Sequence, residues 1–213
     1  IYVWFDALNI YQSGIGFGTD EEKYNKWWPA DVHAIGKGIT RFHAVYWPAI
    51  LLSAGLKLPK KLFVHEYFTV NGQKMSKTLG NVVNPLEMVE KYGADVLRYY
   101  CLAKISPFQD GDFSEEKLKE AYNSDLANGL GNLVARVAKL CETHNISCSS
   151  TIKGGNLWVD IKPFMEQYKF NEALDQIWGA IKGLDRYINT QKPWKQDSVE
   201  ANQTLQNILN GSD

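Results

Sequence analysis

The chain has 213 residues, 45% hydrophobic and 22% charged, the balance of an ordinary soluble globular protein long enough for one large domain or two small ones. A formal net charge of −1 excludes the bulk basicity of a non-specific DNA binder and leaves room for a protein that reads a few unstacked RNA bases. The three cysteines, Cys101, Cys141 and Cys148, show no Cys-x-x-Cys spacing, which argues against a zinc knuckle and for a reducing compartment. With no apolar run of transmembrane length and no signal peptide, the expected location is the cytoplasm, with no membrane and no DNA partner.

The chain opens on Ile1-Tyr2-Val3-Trp4-Phe5, an apolar run without an initiator Met, so residues 1–8 are expected to be a buried strand and the chain a fragment. Residues 9–30 are rich in Gly, Asn and Trp and predict loop with short helix. Residues 32–35 predict a strand, Gly36-Lys37-Gly38 a turn, and Ile39, Phe42, His43, Tyr46 and Trp47 a helix ending near Gly55, with Pro48 kinking it. Residues 62–70 predict one strand. The polar, glycine-punctuated segment 71–81 predicts a mobile loop. Asn84-Pro85 predicts an N-cap and first helical residue; the helix reaches Tyr92, breaks near Gly93 and resumes over 95–103. Strands alternating with helices predict the end of a parallel α/β sheet over 1–104.

From residue 105 the pattern changes. Residues 106–112 predict a loop and Ser114 a helix cap. Leu126, Leu130, Leu133, Val134, Val137, Leu140 and Cys141 then recur at helical spacing. So do Leu174, Ile177, Trp178, Ile181, Leu184 and Ile188 within a long helix over 164–190. A linker at 145–156 separates the two sets. Residues 105–213 are therefore expected to be a connecting segment followed by an all-α helical bundle, incomplete at its end.

Three groups of residues carry chemistry. Lys74-Met75-Ser76-Lys77 sets two ammonium groups three residues apart on a glycine-flanked loop, able to swing over a triphosphate and neutralise charge as pyrophosphate leaves. A solvated basic loop is the plain alternative. Asn128, Asn132 and Arg136 fall on one stripe of a helix, away from the apolar face around Leu133 and Val137; such groups either read splayed bases or form an ordinary solvated face. Trp194, between Lys192-Pro193 and Lys195, sits outside the apolar periodicity and offers a stacking platform flanked by cations.

Lys74-Met75-Ser76-Lys77-Thr78, continued by Gly80-Asn81-Val82-Val83 and Pro85, resembles the KMSKS signature of the class I aminoacyl-tRNA synthetases. The run from Ile35-Gly36-Lys37-Gly38-Ile39-Thr40-Arg41-Phe42-His43 to Tyr46-Trp47-Pro48-Ala49 resembles the methionyl-tRNA synthetase family specifically, as does Tyr2-Val3-Trp4-Phe5-Asp6-Ala7 followed by Tyr11. Asn132, Arg136 and Trp194 after Pro193 resemble that family's anticodon-reading set. The resemblance covers nearly the whole chain, in four places and in order.

The resemblance implies the C-terminal half of a Rossmann-type nucleotide-binding fold followed by an α-helical anticodon-binding domain. It implies a methionine–tRNA ligase that uses ATP with Mg2+ as substrate and acts on methionine and the anticodon and acceptor stem of tRNA(Met), with no zinc site in this stretch. Lys74 and Lys77 inherit the catalytic role. Lys74, Ser76, Lys77 and His65 inherit ATP binding; Trp4, Ala7, Tyr11, Ile39 and His43 inherit the methionine pocket; and Asn132, Arg136 and Trp194 inherit the anticodon. A thioether suits such aromatic edges. The chain departs from the family where Gly38 replaces an Asp and where Glu66 replaces a Gly after His65. The family's HIGH signature is not in the sequence, so the isolated chain is expected not to make adenylate. The alternative is a non-catalytic RNA-binding module derived from such an enzyme.

Overall fold

A computed structural model describes residues 2–146 and 156–210. The chain forms two compact units, one of residues 1–67 and 107–111, the other of residues 68–106 and 112–213.

In the first unit, α1 (Val3–Leu8), α2 (Ile10–Ser13) and α3 (Glu21–Trp27) precede β1 (His33–Gly36), which pairs in parallel with β2 (Leu62–His65), His33 opposite Leu62 and Gly36 opposite His65. A parallel pair needs a crossover. Here it is a 3-10 turn (Lys37–Ile39), a π-helical turn (Phe42–Tyr46) and α4 (Trp47–Ser53). The core is Leu8, Trp28, Trp47 and Leu51, with Trp4, Tyr11 and Phe42 packed against it.

One expectation changes here and a second takes a definite form. The opening run is helical, not a strand: Trp4, Leu8 and Tyr11, at i, i+4 and i+7, pack into one core, while Val3 and Phe5 stay exposed. So short an aromatic run fits either periodicity, and the core decides. The interruption expected at Pro48 takes the form of the π-helical turn Phe42–Tyr46, which runs straight into α4 with the backbone still helical at Tyr46 and Trp47; the proline, with no N–H to give that ladder, is the second residue of α4.

The second unit begins with a hairpin of β3 (Phe68–Val70) and β4 (Gln73–Lys74), Val70 opposite Gln73 and Thr69 opposite Lys74. The two linking residues, Asn71 and Gly72, have φ of 52° and 75°, as a type I′ turn demands. The strand expected over 62–70 is thus two strands in two sheets, interrupted at Glu66-Tyr67, and β4 lies in the segment expected to be loop. A third strand, β5 (Gly111–Phe113), flanks β3 within what was expected to be a loop ending at 112. Helix α5 (Pro85–Tyr92) starts as the sequence predicts, the Asn84 side chain accepting from the Leu86 amide at 3.0 Å. Gly93, at φ 87°, separates it from α6 (Ala94–Ala103). Ser114 caps α7 (Glu115–Ala121) by accepting from the Lys117 amide. Val96, Tyr100, Ile105, Phe113 and Leu118 make the core of this region.

The described residues that follow are mainly helical: a π-helical stretch (Tyr122–Gly131), α8 (Asn132–Thr143), α9 (Leu157–Glu166), α10 (Phe170–Gln191), a 3-10 turn (Pro193–Lys195) and α11 (Ser198–Asn210). Leu133, Cys141, Ile188, Leu205 and Ile208 form its core. The helix expected over 164–190 is divided where Tyr168 takes a φ of 59°. Most of the expected linker, including Cys148, lies outside the described residues. No helix among the described residues is long and apolar enough to cross a membrane.

Candidate functional site

In the first unit the packing of α1, α2 and the π-helical turn gathers Trp4, Tyr11 and His43. The Trp4 indole stacks on Phe42 with centroids 4.1 Å apart and planes 10° apart, and meets His43 edge-on. The Tyr11 hydroxyl lies 2.9 Å from His43 Nε2, and His43 Nδ1 lies 3.0 Å from the Ile39 carbonyl oxygen. A carbonyl only accepts, so Nδ1 carries the hydrogen and Nε2 accepts from the tyrosine. Burial raises the Tyr11 hydroxyl's pKa, which keeps it a donor. The geometry therefore joins four of the five expected pocket residues, Trp4, Tyr11, Ile39 and His43; Ala7 is exposed on α1. His33, which the sequence did not single out, packs its ring 4.3 Å from that of Tyr11.

A polar cluster stands at the C-terminal ends of β1 and β2. Lys37 pairs with Glu66 and, at 2.8 Å, with Asp110, while its ammonium lies 4.8 Å from the centre of the Tyr67 ring. Asp110 also accepts from the Tyr67 amide at 3.0 Å. The hydrogen bonds to Asp110 and Glu66 raise the Lys37 pKa, and that from Lys37 lowers the pKa of Asp110. His65, beside this cluster, uses its Nδ1–H on the Glu66 carbonyl at 2.9 Å and faces Gly36 across the strand pair. Ends of parallel strands are where open α/β sheets bind ligands. Lys37, Glu66 and Asp110 were missed because nothing in a sequence pairs residues 29 and 73 positions apart.

In the second unit Lys74 closes the hairpin and Lys77 follows in a loop held by Asn81, whose side chain accepts from the Ser76 amide at 2.8 Å and donates to the Lys74 carbonyl at 3.1 Å. Both lysines are exposed, and no ion pair among the described residues engages either. Their ammonium groups are available to an anionic ligand. Ser76 lies between them, its hydroxyl accepting from the Thr78 amide at 3.2 Å.

Further along the same unit, Asn128, Asn132 and Arg136 line a cavity of about 460 Å³ with Asp175, Trp178 and Asp185 of α10. The stripe thus borders a groove between helices, with Asn128 and Asn132 still exposed to solvent. Arg136 is held by Asp185 and by Asn189 at 3.0 Å, so its guanidinium is oriented before any ligand arrives. Trp194 is 48% exposed beside the fully buried Pro193, after Lys192 in the left-handed region at φ 50°. Among the described residues no three His, Cys, Asp or Glu side chains are grouped to hold a metal ion.

Residues 1–138 match the family described as tRNA synthetases class I (M). Among curated proteins, a methionine–tRNA ligase of Thermotoga maritima is 48% identical over 206 residues, 91% of this chain and 33% of the relative. One from Nostoc is 41% identical over 98% of this chain and 43% of the relative. Among solved structures, a Mycobacterium tuberculosis methionyl-tRNA synthetase in complex with methionyl-adenylate superposes with a TM-score of 0.84 at 36% identity, covering 98% of this chain and 44% of that one. The chain therefore spans between a third and a half of the length of these relatives.

Proposed function

The chain belongs to the methionyl branch of the class I tRNA synthetases, and on that premise we propose that it supplies part of the adenylation site and the anticodon-reading helices of a methionine–tRNA ligase. In this reading residues 1–104 are the C-terminal part of a Rossmann-type catalytic domain and residues 105–213 the anticodon-binding part. The methionine carboxylate attacks the α-phosphate of ATP and displaces pyrophosphate, and a hydroxyl at the acceptor end of tRNA(Met) then takes the methionyl group from the adenylate, releasing AMP. Such catalysis is chiefly positioning and charge stabilisation.

The observation that carries this reading is the pair of exposed ammonium groups, Lys74 and Lys77, engaged by no ion pair among the described residues, on a loop whose backbone is fixed by Asn81. They are the groups to neutralise the departing pyrophosphate. His65 borders the nucleotide. Trp4, Tyr11, Ile39 and His43, with Ala7 at the margin, hold the methionine side chain: an aromatic wall for a polarisable sulfur and two polar groups whose orientation is set by their mutual hydrogen bond. Asn132, Arg136 and Trp194 read the CAU anticodon.

The test is methionine-dependent ATP–pyrophosphate exchange by the full-length protein encoded by the same gene. Lys74→Ala and Lys77→Ala are each expected to lower kcat by about 10²- to 10³-fold, the scale for one preorganised charge at a reacting phosphate or oxyanion. The isolated chain, without the HIGH signature, is expected to be silent. Full exchange by both lysine variants, or exchange dependent on another amino acid, would overturn the reading. A full-length protein that binds tRNA(Met) without any exchange would establish the non-catalytic alternative.

A further inference from the structure

Asp110-Gly111-Asp112-Phe113 has no part in the function proposed above, yet the Asp112 carboxylate makes three hydrogen bonds beside the hairpin that leads to the Lys74–Lys77 loop. One carboxylate oxygen, Oδ1, accepts from the Thr69 hydroxyl at 2.8 Å and from the Gly72 amide at 2.6 Å. The other, Oδ2, accepts from the Lys117 ammonium at 2.6 Å. Thr69 lies in β3 directly opposite Lys74, and Gly72 is the second residue of the turn joining the two strands. One carboxylate thus grips the hairpin at its strand and at its turn, beside the residue that ends it, Lys74.

The other side of the grip is rigid. The Asp112 carbonyl accepts from the hydroxyl of Tyr100, which is 2% exposed and meets Phe113 edge-on, and both rings belong to the core with Val96 and Leu118. Phe113 also accepts, through its carbonyl, from the Asn71 amide at 3.3 Å. Ser114, next in sequence, caps α7, and Lys117 stands on that helix. The carboxylate is therefore fixed to a packed core, and the hairpin is fixed to the carboxylate.

We infer that Asp112 is a positioning residue for Lys74 and Lys77, setting the hairpin from which the loop springs so that the two ammonium groups meet the triphosphate in one geometry. This rests on the adenylation reading above. Both carboxylate oxygens are already engaged by protein donors, which favours this role over an RNA contact. Asn81 completes the arrangement from the far side of the loop, tying Ser76 back to the carbonyl of Lys74.

Two measurements test this separately from the proposed function. In the first, amide hydrogen exchange is followed on the chain itself, with Asp112→Ala, Asp112→Asn and Lys117→Met. Asp112→Ala is expected to speed exchange at residues 72–81 by about tenfold or more while leaving α8, α10 and α11 unchanged. Asp112→Asn keeps an acceptor for Thr69 and Gly72 and is expected to recover much of the protection; Lys117→Met is expected to lie between. In the second, the full-length protein carrying Asp112→Ala is assayed for pyrophosphate exchange. The expected outcome is a fall in kcat of about tenfold to a hundredfold with the KM for methionine within about twofold, and partial rescue by Asp112→Asn. Unchanged exchange at 72–81 in a folded Asp112→Ala chain would overturn the inference, as would a normal kcat with loss of tRNA binding, which would make Asp112 an RNA contact. A wild-type protein without adenylation activity would sink the functional reading instead, leaving the exchange result to stand by itself.

Discussion

The Tyr67 side chain folds back over Gly38 so closely that a Cβ at position 38 would overlap its hydroxyl. Lys37, between them in the cluster, stands over the Tyr67 ring and between the carboxylates of Glu66 and Asp110. The two departures from the methionyl pattern, Gly38 and Glu66, therefore belong to one arrangement. The space released by a glycine is filled by Tyr67, and the neighbouring glutamate supplies a carboxylate to Lys37. Gly38 has no left-handed backbone, so its constraint is this side chain and not its φ.

That assignment predicts a coupling. Gly38→Ala forces Tyr67 off its position; since Tyr67 is half exposed and can swing, the cost falls on its contact with Lys37 and not on the core. In a Tyr67→Phe background the obstructing oxygen is gone. The double-mutant cycle, read by urea denaturation, is expected to show a coupling of roughly 1 kcal/mol between positions 38 and 67. Equal costs in both backgrounds would remove the hydroxyl as the obstacle.

Local chemistry made part of this structure legible from the residues alone. Asn84-Pro85, Gly93 and Ser114 mark helix ends through the hydrogen bonds and φ values they make available, and each does so in the structure. The strand–turn–helix at 33–53 was legible for the same reason. What was not legible depends on distant partners. The opening run became a helix over Val3–Leu8 because its core is Trp47 and Leu51, some forty residues away. The π-helical stretch at 122–131 shifts the helical phase, so Leu130 and Val134, counted in the periodic apolar set, are exposed. Among site residues, motifs pointed to Lys74, Lys77, Tyr11 and His43. Of their supports, Asn81 lies in the continuation of the motif, while Asp112 and His33, like Asp185 beside Arg136, carry no motif and are defined only by what the fold brings beside them.

His33 provides a pH test. Its ring is buried against Tyr11 and Trp28, its Nδ1 has no hydrogen-bond partner among the described residues, and burial, then the nearby His43, lowers its pKa. Below about pH 6.5 the unfolded chain takes up a proton that the folded chain resists. Stability on this account is full above that pH and falls as the pH drops from it toward the depressed folded value. Thermal unfolding of wild type is expected to weaken between pH 7 and 5. His33→Phe, which keeps a ring and removes the unpartnered nitrogen, is expected to flatten that dependence without lowering the melting temperature at pH 7. An unchanged slope would assign the acid sensitivity to other groups.

Trp194 tests the anticodon assignment. It is exposed, while the adjacent Pro193 is buried and anchors the turn. Trp194→Ala is expected to change folding stability by no more than about 0.5 kcal/mol. It is expected to weaken binding of a CAU stem-loop by roughly 1–3 kcal/mol, the worth of a base stacked on an aromatic ring. Stem-loops with altered anticodon bases, already bound weakly, are expected to lose much less, and Trp194→Phe to recover part of the affinity. Equal loss for both RNAs would reduce Trp194 to a packing residue.

The Tyr11–His43 hydrogen bond tests the methionine pocket. His43 is 4% exposed and its Nδ1–H is committed to the Ile39 carbonyl, so Nε2 depends on the Tyr11 hydroxyl. Tyr11→Phe leaves a buried acceptor without its donor, at a cost of about 1–3 kcal/mol in stability. It also frees both rings from the one orientation in which they face a side chain lying along Trp4. The full-length protein is then expected to show a KM for methionine raised about tenfold, with the KM for ATP and the kcat little changed, the pattern of lost ground-state binding. His43→Leu should act in the same direction, and the double variant should be no worse than the poorer single, because each change breaks the same bond. Additive losses would mean that the two residues act separately. A raised KM for ATP in place of methionine would move the pair out of the amino-acid pocket altogether.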